Sequence, residues 1–174
     1  YHGQLGLGDN VDRLGPNLVT LPADTDVISI SSGSFHTCAV LNNGEVYCWG
    51  FNAYGQLGDS STNNSNIPVK SRLLENQIST QVSSGVFHTC SLLDGGEIAC
   101  WGDNTVGQLG DGTSTSSTIP IIADLPVDSA ALSISVGQRH SCSILDDATL
   151  YCWGYNEFGQ LGDGTTDNSD SPKN

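Results

Sequence analysis

The six cysteines of this 174-residue sequence have the most specific chemistry, because they fall as three pairs, each ten residues apart. Paired thiols can be oxidised to a disulfide, pack as small apolar side chains or bind a metal. Metal binding is the weakest interpretation, since zinc sites prefer cysteines two to four residues apart. An even count at a repeated spacing favours disulfides, with reduced, buried thiols as the alternative. The pairs are Cys38 with Cys48, Cys90 with Cys100, and Cys142 with Cys152.

A glycine-rich stretch after each second cysteine has a spacing that cradles phosphate in other proteins. Gly50 and Gly55 are separated by four residues, as at the start of a P-loop. A P-loop continues with Lys, which reaches the phosphates, and with Ser or Thr, which holds magnesium. This chain has Gln56 and Leu57 instead, so a nucleotide site is not expected.

Three histidines, His36, His88 and His140, lie 52 residues apart and could suggest a ring of metal ligands or bases. Because each belongs to a repeated string, a hydrogen-bonded structural role is favoured. Residues 163–170 have carboxylates at positions 1, 5 and 8 of an imagined calcium loop, but they lack its third-position Asp or Asn, its sixth-position glycine and its closing glutamate. No G-x-S-x-G or H-E-x-x-H motif occurs. We therefore predict no catalytic residue, no metal site and no cofactor.

The charge of the chain limits its partners. Five basic and nineteen acidic residues give a formal charge of −14, which repels nucleic acid and anionic membranes. No apolar run approaches the roughly 20 residues that span a bilayer. We expect neither a nucleic-acid partner nor membrane insertion.

A repeat of 52 residues organises the whole chain. Copies that begin at His36, His88 and His140 align without insertion or deletion, and GQLG falls at positions 3, 55, 107 and 159. The repeat fills the chain about three and a third times. Its approximate bounds are 1–32, 33–84, 85–136 and 137–174.

Each copy predicts about four short antiparallel strands, because short β-branched and apolar runs alternate with turn residues. A tight hairpin is expected around Asn43, with Gly44 at positive φ, and this register places Cys38 across from Cys48. The third copy has Ala148 in place of this glycine, which predicts a strained or differently shaped turn. Four strands at this period are typical of a propeller blade.

The recurring string of His-Thr or His-Ser, Trp-Gly-x-Asn-x-x-Gly-Gln-Leu-Gly and a trailing proline resembles the repeat of the regulator of chromosome condensation family. The resemblance covers essentially the whole chain, and the paired cysteines suggest a bacterial-type secreted variant. It implies an all-β, seven-bladed propeller, of which this chain is a fragment of about half, so the rest of the propeller is needed to close the ring. It also implies that Trp49, Trp101 and Trp153 fill the space between blades, and that Asn52, Gln56 and their equivalents bind their own loops.

Residues that vary between copies are the candidates for recognition. We expect a non-enzymatic binding module that presents variable loops to a protein or cell-surface partner, since aromatic side chains and Arg are typical interface anchors. The alternative role of these aromatics is to cover blade edges. The candidates are Phe35, Phe87 and Arg139 before the histidines, Phe51, Asp103 and Tyr155 after Trp-Gly, and Tyr54, Val106 and Phe158 before GQLG.

Disulfides would place the protein in an oxidising compartment, that is extracellular, periplasmic or at a cell surface. The resemblance also implies two alternative functions, a guanine-nucleotide exchange factor-like regulator of a small GTPase or a secreted enzyme inhibitor. The acidic charge argues against a chromatin partner. A glycan-binding surface stays open as a further alternative.

Overall fold

Three four-stranded antiparallel sheets build the fold of the computed structural model, which describes residues 1–74 and 76–174. In each sheet the strands lie side by side in chain order, so each sheet is a simple meander. No helix occurs in these residues. The strands are β1 (Val27–Ser32), β2 (His36–Leu41), β3 (Val46–Gly50), β4 (Ser65–Lys70), β5 (Ser79–Ser84), β6 (His88–Leu93), β7 (Ile98–Gly102), β8 (Ser117–Ile122), β9 (Ala131–Val136), β10 (His140–Leu145), β11 (Leu150–Gly154) and β12 (Ser169–Lys173).

The two central strands of each sheet form the predicted hairpin. In the first sheet every residue of β2 is buried, and Cys38 pairs with Cys48. The outermost strands β4, β8 and β12 each contain a proline, which cannot donate to a further strand. Proline therefore keeps these exposed edges from extending the sheet.

The hairpin turns show why glycine recurs there. Gly44 has φ of +81°, in the left-handed region, as predicted, and the equivalent Gly96 has φ of +82°. A Cβ atom at Gly44 would lie 2.5 Å from Ile78 Cγ2, so the site also lacks room for one. Ala148 adopts φ of +66° in the third copy. The turn thus keeps its left-handed shape, and the alanine carries the predicted strain.

Consecutive sheets pack face to face as the blades of a propeller. Trp101, from the second blade, joins a buried cluster with Val40, Val46 and Leu57 of the first blade. Trp153 packs in the same way against the second blade. Both indoles are fully buried, which confirms that these tryptophans fill the space between blades.

The two outer faces of the three-blade stack expose side chains that are buried inside it. Ile30 on the first blade is 64% exposed, whereas the equivalent Val82 and Ile134 are 4% and 3% exposed. At the other end, Ile144 is 47% exposed, but the equivalent Val40 is fully buried. The chain is therefore part of a propeller, and both end faces have the apolar character of a surface between blades. No helix in the part of the chain that the structure describes could cross a membrane.

Candidate binding face

The turns and loops that contain the candidate recognition residues meet at one edge of the three sheets, which we call the upper edge. It consists of the turns before β2, β6 and β10 (33–35, 85–87 and 137–139) and the long loops after β3, β7 and β11 (51–64, 103–116 and 155–168). One backbone hydrogen bond joins turn and loop in every blade. It runs from Phe51 N to Phe35 O (2.8 Å), from Asp103 N to Phe87 O (2.8 Å) and from Tyr155 N to Arg139 O (2.9 Å).

The long loops are held by their own asparagine and glutamine side chains. Asn52 Oδ1 accepts a hydrogen bond from Leu57 N at 2.9 Å, and Asn52 Nδ2 donates to Ser61 O at 3.2 Å. Gln56 Oε1 accepts from Tyr54 N at 3.1 Å. Asn104 and Asn156 make the equivalent bonds in the other blades. These contacts confirm that the repeated amide side chains are part of the scaffold.

The glycine-rich stretch uses its own backbone N–H groups. Gly55 N donates to Asn52 O and Gly58 N to Gly55 O, each at 2.9 Å. Leu57 N is bound by the Asn52 side chain. An anion could use these donors only by displacing the bonds that fold the loop.

A histidine joins each blade to the next. His36 Nε2 lies 2.8 Å from Thr89 Oγ1, and Thr89 Oγ1 donates to Gln56 O at 2.9 Å. Because this donation uses the only hydroxyl proton of Thr89, His36 Nε2 must be the donor to Thr89. Trp101 Nε1 donates to the same Gln56 carbonyl at 2.8 Å. The second boundary repeats this arrangement with His88, Ser141, Gln108 and Trp153.

Burial keeps these histidines neutral. Desolvation lowers the pKa of His36 to about 4 and is the main reason that the pKa of His88 is lowered to about 3. Desolvation also lowers the pKa of His140. Nδ1 of His36 and of His88 is buried and has no hydrogen-bond partner among the described residues. These contacts confirm the expected hydrogen-bonded role for His36 and His88.

Five rings gather on the upper edge at the boundary between the first and second blades. This aromatic cluster consists of His2, Phe35, Phe51, Tyr54 and Phe87. The Phe35 and Phe87 rings are stacked, with centroids 5.7 Å apart, and the Tyr54 and Phe87 centroids are 4.7 Å apart. Phe35 is 38% exposed and Tyr54 is 41% exposed, so the cluster presents rings to solvent.

An ion pair takes the equivalent place at the boundary between the second and third blades. Arg139 Nη2 lies 3.9 Å from Asp103 Oδ2 and donates to Thr105 Oγ1 at 2.9 Å. The guanidinium carbon is also 5.6 Å from the centre of the Tyr155 ring, whose centroid is 6.1 Å from that of Phe158. The same repeat positions thus hold two phenylalanines at one boundary and an acid and a base at the next.

This difference between the two boundaries also changes the hydrogen bonds of the buried glutamine in each loop. Gln108 Nε2 donates to Asp103 Oδ2 at 2.8 Å. At the first boundary Phe51 stands in the place of Asp103, and the buried Gln56 Nε2 has no hydrogen-bond partner among the described residues.

All nine candidate recognition residues lie on the upper edge, but their exposures differ. Phe158 is 85% exposed, whereas Asp103 is only 3% exposed and is paired with the more exposed Arg139. Val106 is half-buried. Sequence reasoning missed His2, although the repeat contained the signal, since His2 precedes GQLG as Tyr54, Val106 and Phe158 do.

The cysteines form the three predicted disulfides. Each pair bridges the two central strands of one blade, with Cα atoms 4.1 Å apart. Within residues 1–74 and 76–174, no three His, Cys, Asp or Glu side chains are grouped as metal ligands.

A cavity of about 860 Å³ lies beside the hairpin turn of the first blade and the segment that leads to the second blade. Its lining includes Gly44, Arg72 and Ile78, and the ion pair of Lys70 with Glu45. The nine candidate residues do not line it.

Comparison with known proteins identifies the repeat. A family model described as "Regulator of chromosome condensation (RCC1) repeat" matches residues 1–40, 43–92, 96–144 and 147–174, and a second model of that description matches 27–56, 80–108 and 132–160. The chain is 34% identical to the Arabidopsis thaliana ultraviolet-B receptor UVR8 over 172 residues, covering 99% of the chain and 39% of the receptor. It is 37% identical to the human Regulator of chromosome condensation over 168 residues, covering 92% of the chain and 38% of that protein.

A solved structure agrees on the fold. Yeast RCC1 (Prp20), crystallised with bound Kap60, superposes with a TM-score of 0.78 at 21% identity, over 100% of this chain and 43% of that chain. The chain therefore spans about two fifths of the length of each of these three proteins.

Proposed function

Because the chain belongs to the regulator of chromosome condensation (RCC1) repeat family, we propose that it is a non-enzymatic module that binds a partner protein through its upper edge. The observation that carries this proposal is the aromatic cluster, in which Phe35 and Tyr54 are well exposed. Rings gathered on a surface are the usual energetic anchors of protein interfaces. They vary between copies, whereas the asparagines, glutamines and glycines beneath them repeat.

The structural relative supports the same class of function. Yeast RCC1 has this fold and was crystallised bound to another protein, Kap60. A propeller is a rigid frame, so recognition depends on the side chains that its loops present. In this chain those side chains are the aromatic cluster and the neighbouring Arg139, Tyr155 and Phe158.

Affinity capture with matched variants tests the proposal. We expect the double variant Phe35→Ala, Phe87→Ala to lose partners that the unmodified chain captures. Val127→Ala is the control, because Val127 is 90% exposed and lies in the loop between β8 and β9, at the opposite edge. If both variants captured the same proteins as the unmodified chain, with unchanged melting temperatures, the upper edge would not be the binding face.

We also propose that the protein works in an oxidising compartment. The three disulfides support this location, because such bonds are rare where thiols are kept reduced. Mass spectrometry after alkylation without reduction tests it on protein from the native host. Six alkylated cysteines would contradict this assignment.

Regulation of a small GTPase is a second candidate, which the 37% identity to the human Regulator of chromosome condensation favours. Release of a fluorescent guanine nucleotide from purified small GTPases would test it. Acceleration by the chain at catalytic amounts would support this function. Unchanged release with every GTPase tried would count against it.

A further inference from the structure

The aromatic cluster and the charge of the chain together indicate what kind of partner binds. We propose that the upper edge binds a cationic, arginine-bearing segment of a partner protein. This inference rests on the proposed function, because it names the partner chemistry for the same face.

The chain already contains one example of this recognition. Arg139 stands in the third blade at the repeat position that Phe35 and Phe87 occupy in the others. Its guanidinium lies over the Tyr155 ring and donates to the Thr105 hydroxyl. A planar guanidinium suits such a site, because it can stack on a ring and donate at its edge at the same time. The upper edge can therefore bind an arginine side chain with a ring and a hydroxyl group.

The first boundary has rings of the same kind, but among the described residues no Lys or Arg side chain lies over them. Phe87 there stands in the place of Arg139, and Phe51 stands in the place of Asp103. The aromatic cluster therefore presents only aromatic side chains. The face of an aromatic ring carries partial negative charge and attracts a cation within about 6 Å. A guanidinium supplied by a partner would find in Phe35 and Tyr54 the type of surface that Arg139 finds in Tyr155.

The charge of the whole chain favours the same partner. The formal charge is −14, and Arg13, Lys70 and Arg139 each lie within 4 Å of a carboxylate. The field around the chain is therefore dominated by its excess of negative charge. This field draws cationic segments towards the surface and repels acidic ones. A neutral glycan could stack on the rings, but it would gain nothing from the field.

Peptide binding to the 174-residue chain tests the proposal. The probe is a fluorescein-labelled peptide of six residues, two of them arginine and the rest glycine. In the control peptide each arginine is replaced by citrulline, which keeps the shape of arginine without its charge. Fluorescence anisotropy should show binding of the arginine peptide that weakens as salt is raised. The citrulline peptide should bind at least about tenfold more weakly, because it has neither the cation–π contact nor the attraction of the field.

Leucine variants separate cation recognition from simple apolar docking. Phe35→Leu and Phe87→Leu keep most of the apolar bulk but remove the ring, so each should weaken arginine-peptide binding roughly two- to fivefold. Val127→Ala should bind as the unmodified chain does. Unchanged binding in both leucine variants would overturn the proposal.

Several results would overturn the proposal of a cationic partner. Equal binding of arginine and citrulline peptides, or preferential binding of an acidic peptide or a neutral oligosaccharide, would overturn it. Loss of a captured partner in Phe35→Ala, Phe87→Ala without any arginine-peptide binding would leave the proposed function standing and reject only the cationic chemistry. Unchanged capture in that variant together with no peptide binding would reject both.

Discussion

His36 of the first blade donates a hydrogen bond from Nε2 to Thr89 Oγ1 of the second blade, across 2.8 Å. Burial favours the neutral ring, because the other ring nitrogen is buried without a partner among the described residues. A proton added at Nδ1 would place an uncompensated charge between two packed sheets. The stability of this boundary between blades is therefore sensitive to acid.

Stability should fall as the pH is lowered from about 6.5 towards 5. The pKa of His36 is about 4 and that of His88 about 3, both below the ordinary histidine value. Between these values and about pH 6.5 the unfolded chain therefore takes up protons that the folded chain does not. The stability that the two neutral histidines contribute is complete above about pH 6.5 and is lost progressively below it. The free energy of unfolding should change with pH by up to about 1.4 kcal/mol per pH unit for each histidine. Urea unfolding at several pH values measures it.

Two variants act as controls for this pH dependence. His88→Asn should unfold more easily but show a shallower slope, because one titrating group is gone. Leu93→Ala, which leaves a cavity at a buried position, should be destabilised and keep the full slope. Hydrogen bonds lower the pKa of Asp9 and Glu45, so their contributions are lost only at lower pH, below about 4. An identical slope in His88→Asn and the unmodified chain would contradict the assignment.

Removal of one disulfide should cost about 2 to 3 kcal/mol, since the bond closes a short loop in the unfolded chain. The double variant Cys90→Ala, Cys100→Ala tests this in the second blade, where both cysteines are fully buried. Its urea midpoint should drop relative to the oxidised chain, and reduction of the unmodified chain should lower stability further, because all three bonds are then broken. A midpoint equal to that of the oxidised chain would show that this disulfide adds no stability.

Replacement of Ala148 by glycine should stabilise the protein by about 0.5 to 1 kcal/mol, because alanine at φ of +66° is strained and glycine is not. Gly44→Ala should be destabilising by at least about 1 kcal/mol, since its Cβ would meet Ile78. Gly95→Ala is the matched control, because a Cβ there meets nothing within 4 Å. Thermal unfolding of the three variants should therefore give opposite shifts for the first two and a small one for the third.

Replacement of the two phenylalanines at the first boundary by the acid and base of the second should have coupled effects on stability. Phe51→Asp and Phe87→Arg each remove a ring from the aromatic cluster, but together they recreate the Asp103–Arg139 pair at the first boundary. The new carboxylate would also accept from Gln56 Nε2, as Asp103 does from Gln108. A double-mutant cycle in urea should give a favourable coupling of about 0.5 to 1.5 kcal/mol. Strictly additive effects would show that the two positions do not interact.

The part of this fold that the sequence predicts best is the part built within one repeat. The hairpin register follows from the position of Gly44 and the alternation of side chains, so the pairing of Cys38 with Cys48 could be inferred without coordinates. The loop bonds of Asn52 were likewise predictable, because they span only a few residues. His2 was missed because the first copy is incomplete, although its position in the repeat is that of Tyr54.

The candidate site was predicted as a set of positions, not as a surface. The sequence separates variable residues from repeated ones, but it does not say which of them touch. Phe51 and Phe87 lie 36 residues apart, and their contact across the first boundary depends on how two sheets pack. For the same reason the burial of Asp103 beneath Arg139 was not foreseen.

The sequence by itself determined the blade, because a 52-residue period with fixed turn residues specifies strand pairing through local backbone geometry. Tertiary structure decided the boundaries between blades. There the same repeat positions hold a stacked aromatic cluster once and the Arg139–Asp103 ion pair once. Packing sets these contacts, because they join residues of different repeats whose distance depends on the angle and spacing between sheets.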